Sequence, residues 1–249
     1  MISNSLTGRR IAITGAGRGL GRALAITAAD DGADLVLLGR DVAALREVAS
    51  IIASRSGRAA HCIGCDLAQP DSIRIACDAL LKLNPVVDVL INNAAPWLSG
   101  PLAEASTEDV LATVTGGVAG TILVTKGLLP GLRRSRAADI VTIVSTAGWP
   151  GWDLGGAPAA AFHAMKHAQS GFSDRLRQEL KAEGIRVMAL YPPDFDDVDP
   201  LGPDWADEKK AAARGHLTSR DVTATVLFAL SAPRACTYPV IMLDNMPAR

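Results

Sequence analysis

The residues best placed to do chemistry stand near the start of the chain. Thr14-Gly15-Ala16-Gly17-Arg18-Gly19-Leu20-Gly21 follows the short apolar run Arg10-Ile11-Ala12-Ile13-Thr14 and precedes a helical pattern. Glycines between a strand and a helix allow a tight turn and let backbone N–H groups approach a pyrophosphate. The helix N-terminus beyond them adds partial positive charge. Such a turn can bind a dinucleotide; the plainer alternative is a purely structural glycine-rich turn. The next apolar run ends Leu37-Leu38-Gly39-Arg40. An acidic residue here would accept hydrogen bonds from the ribose 2′-OH of NAD and repel a 2′-phosphate. Arg40 can instead pair with a 2′-phosphate, with Arg18 as a second cation, so NADP(H) is the cofactor these residues favour. Otherwise Arg40 merely caps a solvated turn.

The elements that must position these residues follow from the hydrophobic pattern. Strands are predicted at Arg10–Thr14, Asp34–Leu38, Ala59–Gly64, Val87–Asn92, Ala138–Ser145, Ile185–Leu190 and Pro239–Leu243. Helical patterns alternate with them: Gly19–Asp31, Asp41–Ser56, Pro70–Leu83, Phe162–Glu183 and a last one running to Ala232. Ser106-Thr107-Glu108-Asp109 and Thr218-x-x-Asp221 read as capping boxes that open helices. Short apolar strands each followed by a helix imply buried parallel strands covered on both faces. Right-handed crossovers then make an α/β, Rossmann-type doubly wound sheet. We expect one domain over residues 1–249, with substrate loops near 96–105, 146–161 and 192–215, all after strand C-termini where such sheets bind ligands.

Composition excludes other classes. The net charge of −1 and the lack of a basic stripe argue against nucleic acid and anionic membranes. No uninterrupted apolar run approaches the roughly 20 residues of a membrane span. Cys62, Cys65, Cys77 and Cys236 are expected as reduced thiols in a cytoplasmic protein. Cys62-x-x-Cys65 could be a redox or metal pair, but it falls on a predicted strand without a second ligand pair, so no metal site is expected.

Taken in order, the motifs resemble the short-chain dehydrogenase/reductase family over essentially the whole chain. Thr14-Gly15-x-x-x-Gly19-x-Gly21 matches its cofactor motif. Asp66 follows the third strand, where the family places an adenine-contacting Asp. Asn92-Asn93-Ala94-Ala95 matches its Asn-Asn-Ala-Gly motif with Ala95 in place of Gly, and Ser145 ends the fifth strand where the catalytic Ser sits. The resemblance implies a seven-stranded parallel sheet and a homotetramer or homodimer built through helices near 118–134 and 162–183. It also implies cofactor contacts from Thr14, Gly15, Gly17, Arg18, Gly19, Leu20 and Gly21. Further contacts are implied from Arg40, Asp66, Leu67, Asn93, Ala94, Lys166 and Pro192.

The family's chemistry uses a Tyr-x-x-x-Lys pair. The Tyr hydroxyl moves the substrate proton, and the Lys lowers the Tyr pKa and holds the nicotinamide ribose. Here the segment reads Phe162-His163-Ala164-Met165-Lys166. Lys166 fits, but Phe162 stands at the Tyr position and has no ionisable proton. Gly117 stands where the family has an Asn that relays protons through water, and Tyr191-Pro192-Pro193 replaces the usual Pro-Gly after the sixth strand. Pro193 thereby removes an N–H donor. The only tyrosines are Tyr191 and Tyr238. Substitute proton donors are Asp153, His163 and Tyr191, or solvent or the substrate itself. Pro96, Trp97, Trp149, Trp152 and Phe162 are expected to line a pocket for an apolar or ring-bearing small molecule. Two readings stay open: an NADP(H)-dependent oxidoreductase acting on a carbonyl/alcohol, C=N or C=C substrate, and a non-redox or silenced NADP(H)-binding relative.

Overall fold

The computed structural model describes residues 6–152, 158–207 and 215–246. Strands β1 (Arg10–Thr14), β2 (Asp34–Gly39), β3 (Ala60–Gly64), β4 (Val89–Asn92), β5 (Asp139–Ile143), β6 (Arg186–Tyr191) and β7 (Val240–Met242) form one parallel sheet in the order β3-β2-β1-β4-β5-β6-β7. The chain turns from one direction of growth to the other between β1 and β4. This is the crevice where doubly wound sheets take their ligands.

Helices α1 (Gly19–Asp30), α2 (Val42–Ser56), α3 (Pro70–Leu83), α4 (Thr107–Val114), α5 (Gly120–Leu132), α6 (Ala160–Leu180) and α7 (Ser219–Ser231) cover the two faces. Alternate residues of the central strands feed two cores. Ile11, Ile13, Val89, Ile91, Val141 and Met188 pack with α1, α2 and α7, whereas Ala12, Leu90, Ile140 and Val187 pack with α3 and α5. Period-2 alternation with both faces apolar is what makes these strands read as continuous apolar runs.

The expected strands match to within about two residues, a shift that lies within ordinary boundary scatter. Of the two expected capping boxes, the one at Thr218 closes fully, and the one at Ser106 makes its side-chain half only. Asp109 N donates to Ser106 Oγ at 3.0 Å, and Thr218 and Asp221 cap each other reciprocally. The long helix starts at Ala160, two residues before Phe162.

One sequence expectation needs correcting. Thr107–Leu132 is one 26-residue helical run that is apolar and long enough to cross a membrane. Threonines and glycines interrupt its strictly apolar stretches and hide its mean hydropathy from a search for unbroken runs. In the fold one face of this run is core, with Val124, Leu128 and Leu132 fully buried against α3 and the sheet, while Leu111, Val114 and Ile122 stay exposed.

The far edge of the sheet, where the strands begin, is closed by ions. The Asp139 carboxylate is buried beneath guanidinium groups of Arg9 at 2.6 Å, Arg186 at 2.7 Å and Arg234 at 2.6 Å. Burial alone would raise its pKa; hydrogen bonds from Arg186 and Arg9 reverse this and hold it below the usual carboxylate range. Cys62, Cys65, Cys77 and Cys236 are all free, and burial pushes the Cys65 and Cys77 thiols up to about 11 and about 12.

Candidate active site

The glycine-rich turn leaves β1 and enters α1 directly. A Cβ on Gly21 would lie 2.1 Å from the Gly15 carbonyl oxygen, so only glycine lets the first turn of α1 close this tightly on the preceding loop. The end of β4 braces the turn from the other side. The backbone N–H groups of Asn93 and Ala94 donate to Thr14 Oγ1 at 3.0 and 3.1 Å, and Asn93 Nδ2 donates to the Thr14 carbonyl at 3.0 Å. Thr14 is therefore a buried structural link between the two motifs. Arg18 caps the start of α1 with no side-chain hydrogen bond, and the first turn carries no acidic residue. Its N–H groups thus face the crevice with their positive end open.

Arg40 stands exposed just past the end of β2, and Arg18 is exposed on the glycine-rich turn after β1. Asp66 follows β3 and accepts from the backbone N–H of Ala68 at 3.0 Å through one carboxylate oxygen, while Ser72 Oγ accepts from its N–H at 2.9 Å. The side chain is fixed by this turn with its second oxygen left to recognise a ligand. The turn at Leu67 is held by close contact with α5: a Cβ on Gly120 would meet the Leu67 carbonyl oxygen at 2.5 Å. A cradle that side chains would fill, an open helix N-terminus, an exposed Arg18 on the turn and an exposed Arg40 past the end of β2 all fit a dinucleotide bearing a 2′-phosphate.

Beyond β5 the arrangement changes character. Ser145 is held at φ 126° and is the one described non-glycine residue with positive φ. Such a conformation costs on the order of 1–3 kcal/mol and persists only where its surroundings impose it. Ser145 Oγ accepts from the backbone N–H of Ala147 at 3.1 Å, which leaves the hydroxyl proton to be donated elsewhere. The short turn Thr146–Gly148 that follows rests on α6, where a Cβ on Gly148 would lie 2.6 Å from the Lys166 carbonyl. Ser145, Phe162 and Lys166 are thereby drawn to one end of α6.

Phe162 is buried in an apolar cluster with Ala147 and Met165, walled by Ala95, Leu98 and Val118. Trp97 covers it edge-on, with ring centroids 4.7 Å apart. Lys166 is buried behind it: Nζ donates to the Ile143 carbonyl at 3.0 Å and to Gln169 Oε1 at 3.1 Å, and lies 5.6 Å from the Phe162 ring centroid. Neither oxygen acceptor carries a charge, so burial pushes the ammonium down to about 7.

Gln169 was not singled out from the sequence, yet it links the cluster. Its Nε2 donates to the Gly117 carbonyl at 2.8 Å. That carbonyl lies in a π-helical turn, Thr115–Ala119, between α4 and α5, and such turns free a backbone oxygen for a side chain. Gly117 itself is packed by Met165, whose Cγ would lie 2.4 Å from a Cβ at position 117. Glycine at 117 and methionine at 165 are complementary. Phe162 packs with Met165, Met165 with Gly117, and Gln169 bonds to Gly117, so the four residues form one connected unit.

The three substitute donors fare differently. Tyr191 is fully buried, its hydroxyl 2.7 Å from Ser170 Oγ and its ring edge-on to Trp149, so it faces the core and not the crevice. His163 stacks on His167 with centroids 4.5 Å apart, and burial and that neighbour both lower its pKa. Asp153 lies outside the described residues. Pro192 is buried, and its carbonyl accepts from the Thr146 N–H at 2.9 Å, tying the end of β6 to the turn after Ser145.

The segment after β6 holds a further group. Asp197 Oδ2 would lie 3.0 Å from a Cβ on Gly19, the first residue of α1. The sequence signal was present: Asp194, Asp196, Asp197 and Asp199 make an acidic run after a strand C-terminus.

A model of the family described as short chain dehydrogenase matches residues 9–208. The chain is 34% identical over 185 residues to dehydrogenase/reductase SDR family member 7B of Mus musculus, covering 73% of this chain and 56% of the mouse protein. It is 32% identical over 248 residues to the Bos taurus protein of that name, covering 96% and 74%. A short chain dehydrogenase from Shigella flexneri 2a str. 301, complexed with NADP, superposes with a TM-score of 0.82 at 25% identity over 96% of this chain and 98% of the other. One from Escherichia coli CFT073, complexed with NADPH, gives 0.81 at 27% identity over 96% and 98%.

Proposed function

Because the chain belongs to the short chain dehydrogenase family, we propose that it is an NADP(H)-dependent oxidoreductase acting on a carbonyl/alcohol pair, or on a C=N or C=C bond, of a small apolar or ring-bearing molecule. The observation that carries this reading is the glycine-rich turn clamped by Asn93 and Ala94 beneath an uncapped α1, with Arg40 where an acid would select NAD. NADP(H), when bound, supplies or takes up the hydride. Gly15 to Gly21 and Asn93 shape the floor for its phosphates, Asp66 with Leu67 borders the adenine, and Arg18 and Arg40 hold the 2′-phosphate.

Ser145 donates its hydroxyl proton as a hydrogen bond to the substrate oxygen. Lys166 donates to Ile143 and Gln169, and its protonated form has one further N–H for the nicotinamide side. Phe162 and Trp97 present an apolar wall, which supports a ring-bearing substrate. The proton that balances the hydride does not come from residue 162. The free cysteines suit a reducing compartment such as the cytoplasm, and the half-exposed Ile122 on α5 suits association of copies through α5 and α6.

A second reading, an NADP(H)-binding protein that performs no redox step, is favoured by the sealed cluster of Phe162, Met165 and Gln169. NADPH oxidation over a panel of ketones, aldehydes and imines, with wild type beside Phe162→Tyr, separates the two. Turnover by wild type, not increased in the variant, is the expected result. A silent wild type and an active variant would replace the oxidoreductase reading with the second one.

A further inference from the structure

We propose that Asp197 is an acidic gate on the nucleotide site: its carboxylate stands where the phosphates of a dinucleotide must lie against the start of α1, so binding has to displace or neutralise it. The inference rests on the nucleotide reading of the glycine-rich turn.

The geometry is specific. Gly19 has φ +53°, and a methyl group built on it would lie 3.0 Å from Asp197 Oδ2. The carboxylate therefore lies against the first residue of α1, at the helix end whose N–H groups lack an intrahelical partner. It has not been drawn there by an ion pair. Among the described residues no hydrogen bond or ion pair reaches Asp197, and desolvation is the sole cause that raises its pKa.

The backbone holds it there. Asp196 N donates to the Leu217 carbonyl at 2.9 Å, and Ser219 N donates to the Asp196 carbonyl at 2.9 Å. Val198 N donates to Ser219 Oγ, and Ser219 Oγ donates to the Val198 carbonyl, both at 3.0 Å. Arg22 on α1 reaches across to Asp199 Oδ2 at 3.1 Å, and Phe195 packs on the core. The two neighbours of Asp197 are thus stapled to the start of α7, and the residue two further on is bound to α1. The strap thereby holds the exposed Asp197 with its carboxylate beside Gly19, at the start of α1.

A carboxylate and a pyrophosphate at one helix N-terminus repel, and both require the same partial positive charge. Arg22 offers no compensation, because Asp199 and Glu47 already engage it at 3.1 and 3.2 Å. An acid in this position lowers dinucleotide affinity and leaves recognition of the 2′-phosphate by Arg40, at the end of β2, untouched.

Isothermal titration calorimetry of wild type and Asp197→Asn with NADPH and with adenosine 2′-monophosphate tests this. The second ligand reaches Arg40 and carries nothing for Gly19. The expected result is about tenfold tighter NADPH binding in Asp197→Asn and an affinity for adenosine 2′-monophosphate unchanged within about twofold. NADPH affinity that is unchanged or weaker in the variant overturns the gate, as does an equal gain for both ligands, which would mark a general change of the site. If NADPH binds neither protein, the nucleotide reading itself fails and takes the gate with it; binding by wild type without a gain in the variant sinks the gate alone.

Discussion

The two halves of the sheet carry the same architecture and opposite chemistry. Around β1, β2 and β3 the polar groups given a part in binding are left unpaired: backbone N–H groups at the start of α1, the second oxygen of Asp66, and the exposed guanidinium groups of Arg18 and Arg40. Around β5 and α6 the polar groups turn inward. Lys166 bonds to Ile143 and Gln169, Gln169 to Gly117, and Tyr191 to Ser170, while Phe162 and Met165 close the surface. On the proposed reading, the nucleotide floor and the proton-transfer site are separable parts of this fold. The floor depends on backbone and glycine geometry, which tolerates little. The half around Phe162 depends on a few side chains fitted to one another.

The inward-turned half can be broken first. Gly117→Asn places a side chain into Met165, and overpacking of this kind costs about 1–3 kcal/mol. The same substitution in a Met165→Ala background should cost at least about 1 kcal/mol less, measured by urea denaturation of the four proteins of the cycle. Equal costs in both backgrounds would mean that Met165 does not fill that space.

The charge state of Lys166 sharpens the contrast further. Its folded pKa of about 7 lies below the value near 10.4 of an unfolded lysine. Between those values the unfolded chain binds more protons, so this residue makes stability rise with pH, by up to about 1.4 kcal/mol per pH unit. Below pH 7 both states hold the proton and the slope vanishes. Lys166→Met should therefore lose the wild-type rise between about pH 7 and 10, as read from the difference of the two stability curves, which cancels the thiols. Parallel curves would show that the amine is not penalised by burial.

Much of this was legible in the sequence, for identifiable reasons. Strand positions followed from apolar runs such as Ile11–Ile13 and Val89–Ile91, because parallel strands buried on both faces need no long-range information to be recognised. Phe162, Gly117 and Lys166 were singled out through the family resemblance, by their places relative to its Tyr-x-x-x-Lys pair and relay Asn. Gln169 was not, because a glutamine on a long helix reads as a solvated residue until tertiary packing brings Gly117 opposite it. Asp197 escaped for a similar reason: it lies far from Gly19 in sequence, and only the strap pinned at Ser219 brings them together. The 26-residue helical run of α4 and α5 was missed because its threonines and glycines break up the strictly apolar stretches while its mean hydropathy stays high.

The central claim is that the outward-facing half grips a dinucleotide by its 2′-phosphate. Calorimetric titration of wild type and Arg40→Ala with NADPH and NADH tests it most directly. We predict that wild type prefers NADPH, and that Arg40→Ala weakens NADPH by about 10–100-fold, in line with loss of a charge-assisted contact, while NADH changes by less than about threefold. Equal affinities for the two nucleotides in wild type, or an equal loss of both in the variant, would contradict it.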